Sequence, residues 1–122
     1  MSLIEVVKQS FLAFAEGDRA ANEAVIADEF SFTSPLDNQL DRSTYFDRCW
    51  PNNETIKSFE FMRMVEHGNE VIVTYQGTHV SGRVFRNTEV LTIEHGKISK
   101  VEVYFGWNVP HEAPQGGFLS DG

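Results

Sequence analysis

Hydrophobic residues near the N-terminus recur at every third or fourth position, which is the period of a helix. The stripe comprises Ile4, Val7, Phe11 and Phe14. This spacing predicts a helix over residues 4–15 that lies on a core. Gly17 suits the left-handed end of that helix, and Asp18 suits the cap of a second, shorter helix that runs to Ile26.

The pattern then changes from a helical period to an alternating one. The stretch "FSFTS" at 30–34 alternates phenylalanine with hydroxyl residues, and Pro35 ends it because proline cannot donate to a strand ladder. Asp41 stands where a helix cap is needed, and a third helix is predicted over 42–50, closed by Pro51. The N-terminal half is therefore mostly helical, with one short strand.

Four longer segments of strand character follow. They span residues 56–66, 70–81, 83–94 and 97–107. The triplet "EHG" occurs twice between them, which predicts that His67 and His95 lie in hairpin turns whose glycine adopts a positive φ. Helices followed by long antiparallel strands indicate an α+β fold with the helices packed on one face of the sheet.

The length of 122 residues fits one domain with one compact core. We expect that domain to span residues 1–109. The segment 110–122 holds prolines and glycines and shows no period, so an irregular C-terminal tail is predicted there.

Charge and residue usage exclude several classes of function. The net charge of −8 would repel a phosphate backbone or an anionic membrane, so we expect neither nucleic acid nor a membrane as a partner. Glu5 interrupts the apolar start, and no stretch approaches the roughly 20 apolar residues that cross a bilayer, so a cytoplasmic protein is expected. Cys49 is the only cysteine, so we expect no disulfide, and the four histidines are too scattered for a local metal motif, so we expect no metal unless three distant ligands converge in space. We expect no cofactor either.

The order of these elements matches a known pattern. A helix, "EGD", a second helix, "ADEFSFTSP", a short helix and strands that end in "GKISKVEVYFGW" resemble the nuclear transport factor 2-like superfamily over roughly residues 4–109. Its members include ketosteroid isomerase, limonene epoxide hydrolase and the SnoaL-like polyketide cyclases. The resemblance implies a cone-shaped, strongly curved antiparallel sheet with about three helices on its concave face, enclosing an apolar pocket. Because this fold serves enzymes, binders and dimerisation modules, it implies no single function.

Ketosteroid isomerase offers three catalytic positions, and this chain matches one of them. The aspartate base of that enzyme precedes the proline of the strand-ending motif, where this chain has Ser34. Its tyrosine lies on the first helix, at Ser10 here, and its second acid begins a strand that matches "EVLTI", at Glu89 here. Steroid isomerisation by that mechanism is therefore not expected, although another acid–base reaction remains open. Asp37 lies beyond Pro35, and we expect it to be a solvated turn residue; the alternative is that it reaches the pocket mouth.

Strand alternation indicates which polar residues face the pocket. Glu89 and Asn87 share the parity of the apolar Leu91, and the family register places His79 of the preceding strand on the same side. We predict Glu89 and His79 as catalytic residues that meet across the strand pair and hold one proton near neutral pH. The alternative is a structural role, in which a histidine or a nearby arginine satisfies a buried glutamate.

Eight residues are candidate ligand contacts, and an ordinary core role is the alternative for each aromatic among them. They are Phe32, Ser34, Tyr45, Trp50, Tyr75, Asn87, Leu91 and Phe105. Tyr45, Trp50 and Tyr75 stand out because they combine flat apolar faces with a polar tip. Cys49 lacks an adjacent histidine and is expected to be a buried, inert thiol.

Three functions remain open from the sequence. The first is a cofactor-free isomerase, cyclase, hydratase or lyase that acts on a small apolar molecule through Glu89 and His79. The second is a non-catalytic binder of an apolar metabolite. The third is an interaction module that forms a homodimer through the outer sheet face, where Lys100, Glu102 and Tyr104 point.

Overall fold

A computed structural model describes residues 1–108. Residue 109 and the predicted tail at 110–122 lie outside the described residues. The helices are α1 (Leu3–Glu16), α2 (Arg19–Val25), α3 (Arg42–Arg48) and a 3₁₀ helix (Trp50–Thr55). The strands are β1 (Ile26–Thr33), β2 (Leu40–Asp41), β3 (Ile56–His67), β4 (Glu70–His79), β5 (Val84–Glu94) and β6 (Lys97–Phe105).

The predicted helix caps are confirmed. Gly17 ends α1 with φ 71°, and its N–H donates to the Phe14 carbonyl at 3.2 Å. Asp18 and Asp41 each accept a backbone N–H from the first turn of α2 and α3. The second helix is shorter than predicted, because Ile26 already pairs with Ile98 of β6 and belongs to β1.

The sheet has six strands in the order β2-β1-β6-β5-β4-β3, and it is strongly curved. The four strands β3 to β6 pair antiparallel, as predicted, but β1 runs parallel to β6. A parallel pair needs a long crossover, and here the chain makes it through β2, α3 and the other three strands. The two-residue strand β2 was not predicted, because it is too short to show any alternation.

Both "EHG" hairpins have the predicted positive φ at glycine, 61° at Gly68 and 77° at Gly96. His95 also has a positive φ, 53°, which the sequence did not reveal. His67 is the last residue of β3 rather than part of the turn.

Three one-residue bulges help to bend the sheet. Lys57 and Met62 of β3 and Ser99 of β6 are each an extra residue, because the residues on either side of each one pair with consecutive residues of the adjacent strand. The resulting concave face is covered by the helices. Phe11 of α1 lies at the centre of the contact, with its ring 4.9–5.4 Å from the rings of Phe59, Phe61 and Tyr75.

Candidate functional site

A cavity of about 490 Å³ lies between the concave face of the sheet and the helices. Buried residues of β4, β5 and β6 form its inner wall, among them Tyr75, Asn87 and Leu91. Exposed residues such as Leu36, Asn52 and Asn108 form its mouth. The volume is in the range of small-molecule sites.

Nine of the ten site residues predicted from the sequence line this cavity. They are Phe32, Ser34, Tyr45, Tyr75, His79, Asn87, Glu89, Leu91 and Phe105. Their placement does not test whether they bind or catalyse, so their roles stay predictions. The tenth, Trp50, is not among the lining residues. Its ring packs instead between the helices, 5.4 Å from Phe14 and 5.8 Å from Phe46, because it begins the 3₁₀ helix behind the cavity wall.

Three polar residues on the inner wall form one hydrogen-bonded chain. Asn87 lies opposite Tyr75 in the register of β4 and β5, and Glu89 lies diagonally across from Tyr75. The Nδ2 of Asn87 donates to the Tyr75 hydroxyl at 3.2 Å, and that hydroxyl donates to Oε2 of Glu89 at 2.6 Å. Glu89 keeps partial access to the cavity, so its carboxyl can reach a bound molecule.

The environment shifts the pKa values of Glu89 and Tyr75. Burial raises the pKa of Glu89 from 4.5 to about 7, and the hydrogen bond from Tyr75 opposes the shift by stabilising the carboxylate. Burial, followed by the charge of Glu89, holds the pKa of Tyr75 well above 10. Tyr75 therefore stays a donor at neutral pH, while Glu89 exchanges its proton there.

The predicted contact between Glu89 and His79 is wrong. In the strand register Glu89 lies opposite Val73, six residues from His79 on β4, which is about 20 Å of strand. His79 lies opposite Ile56 of β3, and its Nδ1 is 3.2 Å from the Ser81 hydroxyl. The two residues thus line different parts of one cavity. The prediction failed because alternation indicates which face of a strand a residue occupies but not its position along the strand.

Asp37 is not the solvated turn residue that the sequence suggested. It does close a turn, with its carbonyl accepting the Ser34 N–H at 2.8 Å, but its side chain is only 14% exposed and lines the cavity near the mouth. Oδ1 of Asp37 lies 2.8 Å from Nη2 of Arg48. The ion pair with Arg48 of α3 holds the side chain inward. Turn composition could not reveal this contact, because it joins two separate segments.

Ser34 takes part in the same turn. Its hydroxyl accepts the Leu36 N–H at 3.1 Å, which is the local bond that serine often makes in turns. This use of the hydroxyl is structural, although the residue also lines the cavity.

A second polar group lies on the helix side of the cavity, and sequence reasoning missed it. The Ser10 hydroxyl of α1 donates to Oδ1 of Asn22 of α2 at 2.7 Å. Asn22 is fully buried, and within residues 1–108 its Nδ2 has no hydrogen-bond partner. The sequence did carry a signal for Asn22. It lies three positions before Val25, so helical spacing places it on the same buried face of α2.

Tyr45 of α3 joins this group. Its ring contacts Phe30, Phe32 and Phe46 at 5.1–5.3 Å between centroids. Burial raises the pKa of the Tyr45 hydroxyl well above its usual value, the charge of Glu89 adds to that shift, and the Asn22 amide opposes it. The hydroxyl therefore lies within electrostatic reach of the carboxyl on the opposite wall.

Cys49 also lines the cavity. Burial, followed by the charge of Asp37, raises the pKa of its thiol to about 11, with Arg48 opposing. Because the thiolate is the nucleophile, the thiol is unreactive near neutral pH. In the described part of the chain no group of three or more His, Cys, Asp and Glu residues could hold a metal ion. None of the helices within residues 1–108 is long and apolar enough to cross a membrane.

The curved sheet and the helices on its concave face form the NTF2-like cone fold. The family model of the SnoaL-like domain matches residues 7–101, and the chain belongs to that family. A search of curated proteins found no match.

Solved structures agree on the fold. An NTF2-like protein of unknown function from Cytophaga hutchinsonii ATCC 33406 is 20% identical with a TM-score of 0.71, covering 87% of this chain and 91% of that one. An NTF-2 like protein of unknown function from Burkholderia xenovorans LB400 is 23% identical with a TM-score of 0.71, covering 92% and 87%. TerC, co-crystallised with polyporic acid, is 17% identical with a TM-score of 0.68, covering 85% and 91%. At these identities the likeness establishes the fold alone.

Proposed function

We propose that the protein binds a small apolar molecule in the cavity and catalyses a proton transfer on it without a cofactor, with Glu89 as the acid–base group. One observation carries this proposal. Glu89 is a carboxyl group on the inner wall of an apolar cavity, and it accepts a hydrogen bond from a tyrosine hydroxyl rather than from a cation. A carboxyl in that setting titrates near neutral pH, where a general acid or base is most effective.

The reaction class follows from what Glu89 can do. As a carboxylate it takes a proton from carbon or oxygen, and as an acid it returns the proton to another atom of the same molecule. Isomerases, cyclases and lyases share this pair of steps. In this proposal Tyr75 positions the carboxyl, and His79 contacts a part of the ligand away from Glu89. TerC, a protein of this fold, was crystallised with polyporic acid, which supports a small-molecule role here without identifying the ligand.

The base can be tested without knowing the natural substrate. The probe is 5-nitrobenzisoxazole, a small apolar molecule that opens when a base removes its ring C–H proton. The C–H electron pair then forms the nitrile as the N–O bond breaks to give a phenolate. We expect the wild-type rate to rise with pH around a midpoint of about 7. Replacing Glu89 by Gln should lower the rate by at least about a hundredfold.

The matched control is Glu94→Gln, an exposed glutamate at the end of the same strand, which should leave the rate unchanged. If Glu89→Gln retains the wild-type rate, or if the wild type opens the probe no faster than buffer, the catalytic role is refuted. If the probe binds to the wild type without opening, the non-catalytic binder becomes the better description.

We also propose that the convex face of the sheet pairs with a second copy of the chain. Val65, Ile72, Val90 and Glu102 form one row across β3 to β6 in register. Val65 is 51% exposed and Ile72 36%, and Tyr104 of the neighbouring row is 55% exposed. An apolar row with a charged end is the kind of surface that two-fold pairing can cover.

Sedimentation of the wild type at micromolar concentration tests this proposal. We expect a dimer, and we expect Ile72→Glu to produce a monomer because each copy would bury a carboxylate in the interface. The control is Leu12→Glu, an exposed position on α1 on the other side of the sheet, which should leave the dimer intact. A monomeric wild type would refute the interface.

A further inference from the structure

The cavity extends well beyond Glu89. Its volume of about 490 Å³ is roughly three times that of a cavity of about 150 Å³, which holds benzene. In the register of β4 and β5, the opposed pairs run along the wall in the order Glu89 with Val73, Asn87 with Tyr75, and Phe85 with Gly77. Phe85 also lines the cavity, about 13 Å of strand away from Glu89. The space at Phe85 therefore decides how far a molecule held at Glu89 can extend.

Gly77 makes room for the Phe85 ring. A Cβ atom built on Gly77 would lie 2.3 Å from Cζ of Phe85, and 2.5 and 2.9 Å from its two Cε atoms. Carbon atoms in contact are normally about 3.5–4.0 Å apart, so the tip of the ring occupies the place of a side chain at position 77. The φ of Gly77 is not positive, so the backbone would accept alanine there. The ring is what requires glycine at this position.

Other rings of the cavity hold one another, whereas Phe85 depends on the glycine. The Phe11 ring packs edge-on against Phe59 and Tyr75, at 5.1 and 4.9 Å between centroids. Within residues 1–108 the only ring that Phe85 contacts is Tyr75, at 6.3 Å. A side chain at position 77 would point to the same face of β4 as Tyr75, so it would push the Phe85 ring into the cavity.

We propose that Phe85, seated over Gly77, determines how long a ligand the cavity accepts, and that the ligand extends from Glu89 along this ring toward His79. This inference rests on the proposed function, because it requires the ligand to occupy the same cavity. Phe85 is the part of the wall that the outer portion of the ligand contacts. Gly77 is a positioning residue, because it lets the ring lie against the sheet. The alternative is that the ring only shields the glycine backbone, which would affect stability but not the choice of ligand.

Phenol and 4-phenylphenol test the length limit, because they share a polar end and differ by one ring along the molecular axis. Their binding is measured by calorimetry with the wild type, Gly77→Ala, Phe85→Ala and the double variant. We expect Gly77→Ala to weaken 4-phenylphenol binding at least about tenfold and phenol binding less than about twofold, because the displaced ring fills the outer part of the cavity. In the Phe85→Ala background, which has no ring to displace, Gly77→Ala should change either affinity less than about twofold.

The matched control is Thr78→Ala, the next residue on the opposite face of β4, which should leave both affinities unchanged. A measurement on the wild type keeps the test valid if a variant fails to fold. In its complex with 4-phenylphenol, nuclear Overhauser contacts should join the second ring of the probe to the ring protons of Phe85.

The outcomes distinguish the two levels of the proposal. If both probes bind but Gly77→Ala weakens them equally, or weakens 4-phenylphenol as strongly without the Phe85 ring, the role of Phe85 is refuted and the cavity function stands. Wild-type binding of phenol alone, or a 4-phenylphenol complex without contacts to Phe85, would also refute that role. If neither probe binds to the wild type, the cavity function fails and this inference fails with it.

Discussion

Two carboxyl groups face the same cavity and have opposite surroundings. Glu89 lies on the inner wall, where a neutral hydroxyl donates to it at 2.6 Å. Asp37 lies near the mouth, where a guanidinium nitrogen lies 2.8 Å from it and most of that arginine is in solvent. For Glu89, the hydrogen bond stabilises the carboxylate less than burial destabilises it. The partner of Asp37 carries a full opposite charge.

The difference in hydrogen-bond partner suits Glu89, rather than Asp37, to the acid–base role proposed above. A hydroxyl stabilises a carboxylate only in part, so burial still raises the pKa of Glu89 to about 7. Asp37 instead forms an ion pair with Arg48, which ties its side chain to α3. Chemistry is therefore expected at the inner wall, and Asp37 is expected to shape the mouth.

The largest expected effect is a pH-dependent gain in stability for Glu89→Gln. The pKa of Glu89 is raised from 4.5 to about 7 in the folded state, so its ionisation destabilises the fold as pH rises through that window. Relative to the wild type, Glu89→Gln should therefore gain on the order of 3 kcal/mol between about pH 4 and pH 8. Urea unfolding across this range measures the gain. A difference that stays flat with pH would contradict the assigned environment.

A smaller effect is expected from Tyr75→Phe. The Tyr75 hydrogen bond stabilises the charged form of Glu89, so its loss should move the pKa further above 7, by up to about one unit. Titration of the Glu89 ¹³Cδ resonance measures the shift, with Tyr104→Phe on the outer face as the control. A pKa that falls, or that moves equally in the control, would show that Tyr75 does not act on Glu89.

The smallest effect is expected from Asp37→Asn. Its partner Arg48 is 60% exposed, and pairs of this kind contribute at most about 1 kcal/mol. The loss should shrink as salt is raised to about 1 M, because solvent ions screen the pair in the wild type. Unfolding at low and high salt measures it. A loss as large as the Glu89→Gln effect would remove the contrast between the two acids.

The elements that the sequence predicted are those with a local cause. The stripe of α1, the caps at Gly17, Asp18 and Asp41, and the two hairpin glycines all depend on residues within a few positions of one another. Strand parity, also local, placed Asn87 and Glu89 on the concave face, and the register of the family added Tyr75. The misses have non-local causes. The parallel partner of β1, the ion pair of Asp37 and the position of Trp50 each depend on segments far apart in the chain.

From the sequence by itself, short-range periodicity and turn chemistry determined the α+β architecture, and the resemblance to known proteins implied the superfamily and the concave side of β4. Only the tertiary structure decided which inward residues meet. It joined Glu89 to Tyr75 instead of His79, and it placed Asn22 behind Ser10 and Tyr45. Register along strands and the packing of helices on a curved sheet fix these distances, and neither is written in the local pattern of residues.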